Sequence, residues 1–114
     1  MANIYDIDAY VDQIALRSFV RSFSPIAVSK VLNLPLNPVI ERLNYLKDGK
    51  KLTLKYEIRC YEDSNIIKVV DDFSGFIGKK LYCKNCDDEI EVGLDNIFPV
   101  YYIDDDYREY LKKN

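Results

Sequence analysis

The chain has no histidine. Without an imidazole there is no Ser-His or Cys-His nucleophile pair and no imidazole general base, which removes most hydrolase chemistry. Glycine is scarce, with four in 114 residues, and Gly75 and Gly78 are too sparse for a phosphate-cradling loop, with no basic residue in the required place. Cysteine occurs three times, an odd number that argues against a closed disulfide framework and leaves a thiol or metal reading for Cys60, Cys83 and Cys86. No apolar run approaches membrane-spanning length, and no charged-then-apolar leader precedes Asn3. The expectation is a soluble, cytoplasmic protein with no membrane partner. Internal repeats, linkers and low-complexity segments are also missing.

What remains for catalysis is acidic. Asp71-Asp72 and Asp104 to Asp106 have the oxygen donors that Mg2+ takes, but consecutive carboxylates usually point apart and cap helices or fill loops. The composition therefore points away from an enzyme. With 48% hydrophobic residues the chain has material for a core in one domain, or one domain with a small appendage, and needs no disulfide to fold. Its net charge of −3 is unevenly spread. Residues 1–59 carry nine Lys or Arg against six Asp or Glu, a balance of +3, whereas residues 60–114 carry seven against thirteen, a balance of −6. The chain is electrically two-sided, which two ordinary solvated surfaces also produce.

Local signals divide the first half into helices. Asp6 can cap a first helix, with Ile7, Tyr10, Val11, Ile14, Ala15, Phe19 and Phe23 stepping by three or four to an end near Ser22. Ser24 before Pro25 is an N-cap followed by proline at the first helical position, with Phe23 and Val28 at staple positions. Ala27, Val28, Val31 and Leu32 form the stripe of that second helix, and Asn33 tolerates the left-handed conformation that ends it. Asn37-Pro38 repeats the cap signal for a third helix, whose stripe is Val39, Ile40, Leu43 and Leu46 and whose stop is Gly49. Leu52, Leu54, Tyr56, Ile58 and Cys60 then alternate with Thr53, Lys55, Glu57 and Arg59 as a half-buried strand.

Beyond Cys60 a turn over 61–65 leads to the strand candidate Ile66 to Val70 and a loop over 71–78. Leu81 to Cys83, Glu89 to Val92 and Ile97 to Ile103 read as short strands, the last at an edge or bulge because of Pro99. A short helix after Asp104–Asp106, with Lys112 and Lys113 at its end, suits the helix dipole.

Helix, helix, helix, strand in this order resembles the winged helix-turn-helix family. The resemblance rests on Ser24 to Asn33, on Asn37 to Gly49 and on the strand that follows, about half the chain. It implies an α+β fold in which the first helix covers the other two and the third reads a partner.

Cys83-Lys84-Asn85-Cys86 is a two-cysteine knuckle, and Cys60 and Asp63 stand at the same spacing nineteen residues earlier. The pattern C-x2-D-x19-C-x2-C matches the two-knuckle zinc ribbon in every interval, with aspartate in place of the fourth cysteine. The resemblance thus widens to small bacterial proteins in which a winged helix runs into a zinc ribbon, here with a short C-terminal helix. It implies residues 1–59 as the winged helix and 60–114 as a ribbon-like extension packed with it as one unit. It also implies a Zn2+ site of Cys60, Asp63, Cys83 and Cys86. The aspartate leaves two forms of that site open, a loaded one and a relic that survives on packing. A redox role for Cys83 and Cys86 lacks the βαβ surroundings that such a pair usually has.

The third helix separates two functions. With its stripe turned inward, the outward face is Glu41, Asn44, Tyr45 and Asp48, flanked by Pro38 and Arg42. A DNA-reading helix carries Arg, Lys, Asn or Gln toward base edges. Arg42 and Asn44 can serve in that way, with Lys47, Lys50, Lys51, Lys55 and Arg59 gripping phosphates, but Glu41 and Asp48 oppose the same negative rod. The competing reading makes Tyr45 the anchor of a protein interface, a reading that ten tyrosines suit. The expectation is a non-enzymatic adaptor or small subunit that docks a protein partner, of the kind found beside multi-gene bacterial systems, including defence systems. The alternative is a DNA-binding regulator.

Overall fold

The computed structural model describes residues 3–113 and is α+β, with four helices and antiparallel strands. The helices are α1 (Ile4–Ala15), α2 (Pro25–Leu32), α3 (Leu36–Asp48) and α4 (Asp105–Lys113). The strands are β1 (Ser22–Phe23), β2 (Leu52–Arg59), β3 (Ile66–Val70), β4 (Lys80–Cys83), β5 (Asp88–Glu91) and β6 (Ile97–Ile103). One sheet has the order β1-β6-β2-β3, and a second consists of β4 and β5. The chain divides into two compact units, one of residues 1–54 with 100–114 and one of 55–99. The last strand residues and α4 thus belong with the first three helices, whereas the sequence places them with the ribbon.

The helical unit is built on the stripes of its helices. Ile7, Val11, Ile14 and Ala15 of α1 meet Val28 of α2, Val39, Leu43 and Leu46 of α3, and Leu52, Tyr101 and Ile103 of the strands, all buried. Phe23 and Val28 belong to this cluster, as a staple around Ser24 requires. The Ser24 hydroxyl accepts the Ala27 N–H, and Asn33 closes α2 at φ 55°. The stripe of α2 is narrower than expected: Ala27 and Val31 are exposed, and Pro25 is buried beside Val28. Such a short helix turns only one edge to the core.

Three boundaries differ from the sequence reading, each through a partner distant in the chain or a cap at a different residue. Asn3 caps α1, in a box where the Asp6 carboxylate accepts the Asn3 N–H at 2.7 Å, so Asp6 is the third helical residue and not the cap. The helix ends at Ala15 instead of Ser22. Phe19 is 80% exposed, and the chain instead pairs Ser22 with Tyr102 and Phe23 with Tyr101. The third helix starts at Leu36, before Asn37-Pro38, which sits in the first turn, where a proline removes an N–H that has no helical partner.

The second unit has its own small core of Ile58, Cys60, Cys83, Ile90 and Val92. β2 and β3 pair from Tyr56 with Val70 to Arg59 with Ile66, with an irregularity at Ile58/Arg59. β4 and β5 pair from Lys80 with Glu91 to Cys83 with Asp88. Two expectations for the strands change. Glu57 lies on the face expected to meet solvent, yet it is only 4% exposed and accepts from Arg59 at 3.1 and 2.5 Å, while Arg59 lies over the Phe98 ring. Strand β6 is interior in the sheet order, not an edge; but β1 reaches only Tyr101 and Tyr102, so Pro99 stands beyond it.

Candidate functional site

Two groups of residues carry chemistry, one in each unit. In the second unit, β2 delivers Cys60 and the turn after it delivers Asp63, while β4 ends at Cys83 and a tight turn returns Cys86. The ligand atoms of these four residues lie within 4.8 Å of one another. Local backbone geometry explains the convergence. Ser64 N–H donates to the Cys60 carbonyl at 3.0 Å and Asp87 N–H to the Cys83 carbonyl at 2.9 Å, and Ser64 and Asp87 take φ 60° and 56°. Each turn therefore curls back on its strand and presents its side chains on the inside.

The spacing of the donors suits a metal ion. A tetrahedral centre with bonds of about 2.3 Å to sulfur and about 2.1 Å to carboxylate oxygen requires sulfur–sulfur edges of about 3.8 Å and sulfur–oxygen edges of about 3.6 Å. Cys60 Sγ and Cys86 Sγ are 3.5 Å apart, and Cys83 Sγ lies 3.7 and 3.9 Å from the Asp63 oxygens. All three cysteines are free thiols. Cys60 and Cys83 are buried, Cys86 is half-buried and Asp63 is exposed, so the carboxylate is the ligand on the solvent side.

The electrostatics tell the same story from the side of the donors. The Cys86 N–H, and next its thiol and the Asn85 N–H, hold the Cys83 thiol below its ordinary range. The Asn65 N–H, donating at 3.0 Å, holds the Asp63 carboxyl low. Cys86 is pushed up to about 12, first by its hydrogen bond to Cys60 and then by burial. Several negative groups so close together cannot all ionise without a cation between them. The residues present can hold a metal ion.

In the helical unit, the structure redistributes the predicted partner-binding residues of α3. Arg42 donates to both oxygens of Asp8, at 2.8 and 2.6 Å, and its guanidinium lies 4.4 Å from the centre of the Tyr45 ring. The hydrogen bonds to Asp8 hold its charge more firmly than usual. Asn44 accepts from the Tyr101 hydroxyl at 2.7 Å and is half-buried. Glu41, Tyr45 and Asp48 stay exposed, Tyr45 at 63%. Lys47 stands 3.9 Å from Asp48, Lys51 lies over the Tyr107 ring, and in the second unit Lys55 stands 3.9 Å from Asp71. Asp8 is the partner of Arg42 that the sequence did not reveal, because a contact 34 positions away leaves no local signal.

Two shallow hollows flank Tyr45. One of about 210 Å³ is lined by Pro38, Glu41, Arg42 and Tyr45, and one of about 460 Å³ by Tyr45, Leu46, Asp48, Gly49 and Lys51. Among the described residues no helix is long and apolar enough to cross a membrane. No protein-family model, curated protein or solved structure matches this chain.

Proposed function

We propose that this chain is a non-enzymatic recognition module, a winged helix-turn-helix that runs into a zinc-ribbon-like element, and that it docks a protein partner through α3. One observation carries the reading. The two side chains of α3 suited to base edges, Arg42 and Asn44, are held by Asp8 and Tyr101, which leaves Glu41, Tyr45 and Asp48 as the exposed face. An arginine bound at both donor edges to a carboxylate must give up that pair before it reads guanine, and the acidic side chains beside it repel phosphates. An exposed tyrosine between two hollows is instead the kind of amphipathic anchor that fills a partner's pocket.

The second unit has a structural element of its own. Cys60, Asp63, Cys83 and Cys86 would hold a zinc ion that uses all four positions, a closed site with no open position for substrate. The ion would supply cross-linking energy to a core of only a few apolar side chains, and no reaction step.

Two measurements test the reading. Binding to a random-sequence DNA duplex at low and moderate salt should be weak or absent. Tight binding with a steep salt dependence, lost in Arg42→Glu and Lys51→Glu, would establish the DNA-binding alternative. Purification from its own cells at moderate salt should bring a polypeptide that the Tyr45→Ala variant fails to bring.

A further inference from the structure

The sulfur contact that suits a metal ion also brings two thiols within reach of each other. Cys60 and Cys86 come from opposite turns, 26 positions apart, yet their sulfurs are in contact at 3.5 Å. A sequence reading would favour the Cys83 and Cys86 pair, because its C-x2-C spacing is the familiar redox arrangement. The structure gives Cys83 further company: beside the Cys86 thiol, its sulfur faces the Asp63 carboxylate at 3.7 and 3.9 Å. Access differs too, since Cys86 is the half-buried thiol of the three and Cys60 and Cys83 are buried.

We propose that Cys60 and Cys86 form a peroxide-sensitive site that closes into a disulfide across the two turns, leaving Cys83 reduced. The proposal rests on the thiol geometry and, for its effect on metal, on the zinc reading above. One sulfur of the Cys60–Cys86 pair, as thiolate, attacks the O–O bond of a hydroperoxide, takes one oxygen as sulfenic acid and releases water or an alcohol. The other sulfur, already in contact, attacks the sulfenic sulfur and expels the oxygen as water. Two thiols and one hydroperoxide thus give one disulfide, with water and, from an organic hydroperoxide, its alcohol. Forming the bond requires the two sulfurs to close from contact distance to about 2.05 Å. Two of the four metal donors are consumed, so a bound zinc ion leaves, while the covalent bridge takes over the cross-link between the same two turns.

The chain is well suited to the test. Arg59, Lys68, Lys80, Lys84 and Arg108 are trypsin sites, and Lys84 separates Cys83 from Cys86. Cys60 falls in peptide 60–68, Cys83 in 81–84 and Cys86 in 85–108, so each possible disulfide gives a different peptide pair. The full chain is purified without chelator, its zinc content is measured, and it is treated with equimolar hydrogen peroxide. It is then blocked with N-ethylmaleimide and digested without reductant for mass spectrometry. The expected result is peptide 60–68 joined to 85–108, with Cys83 carrying the maleimide. A link between 81–84 and 85–108, a link between 60–68 and 81–84, a disulfide between two chains, or over-oxidation without a link overturns the proposal. The metal measurement separates the two readings. Zinc present at the start with a different link overturns the pairing alone, and a blank metal analysis with the 60–86 link overturns the zinc reading alone. Zinc-loaded protein that forms the expected link should release its metal to a chromogenic chelator in step with the disulfide, and retention of the metal would overturn the proposed exchange.

Discussion

Tyr45 and Leu43 stand two residues apart on α3 and should behave as opposites. Leu43 is wholly buried among the helices, so Leu43→Ala should cost about 2–5 kcal/mol in denaturant unfolding. Tyr45 is exposed, so Tyr45→Ala should change stability by no more than about 0.5 kcal/mol and weaken a partner complex by about 1–3 kcal/mol. Unfolding of the Tyr45 variant would show that the ring is part of the core and that α3 faces the other way. Arg108 offers a second test at this scale. The residue is 9% exposed, and its guanidinium donates to the Ser18 carbonyl at 2.9 Å and to the Val20 carbonyl, while its Nε has no hydrogen-bond partner among the described residues. Those bonds tie α4 to the segment after α1, so Arg108→Met should destabilise by about 1.5–3 kcal/mol, the range for hydrogen bonds to a charged group. A neutral or stabilising effect would mean that burying the charge costs as much as the two bonds return.

Among the elements, what the sequence made legible is what local chemistry decides. Ser24-Pro25 and Asn33 mark both ends of α2 because a cap and a left-handed residue act on their immediate neighbours. Ser24→Ala should therefore cost about 1 kcal/mol, and Asn33→Val about 1–2 kcal/mol at φ 55°, with Asn33→Gly near neutral, all by chemical denaturation. An Asn33→Val variant as stable as the parent would contradict the left-handed assignment. The end of α1 was not legible in the same way. Ala15, Phe19 and Phe23 continue a helical period, but the chain after Ala15 is held by β6 and by Arg108, from 78 to 90 positions away. The burial of Glu57 escaped the alternating pattern for a similar reason, because β2 has a neighbour on both sides, β6 and β3, and Arg59 lies beside its carboxylate.

For the whole molecule, the cluster of Cys60, Asp63, Cys83 and Cys86 was legible in one line of sequence, and the grouping of residues 100–114 with the helices was not. The spacing of Cys60, Asp63, Cys83 and Cys86 specifies two equal turns, and equal turns at the ends of strands converge. The return of residues 100–114 to the helical unit depends on side chains such as Tyr101, Ile103 and Arg108, whose partners lie in the first half of the chain. The strongest prediction at this scale concerns how the four residues would divide the work of holding the proposed zinc ion. Cys86 is half-buried and in contact with Cys60, whereas Asp63 is exposed, where water can take the place of a lost carboxylate. Thiolate is also the softer donor and the better match for zinc. Protein purified without chelator should contain one zinc per chain, and Cys86→Ser should lower its melting temperature far more than Asp63→Ser. Chelation should raise hydrogen exchange in β4 and β5, where the unit has little apolar burial to fall back on, and leave α1 and α3 protected. Equal losses from the two variants would place the carboxylate among the structural donors. A blank metal analysis, with no shift on adding chelator, would show that packing alone holds the two turns together.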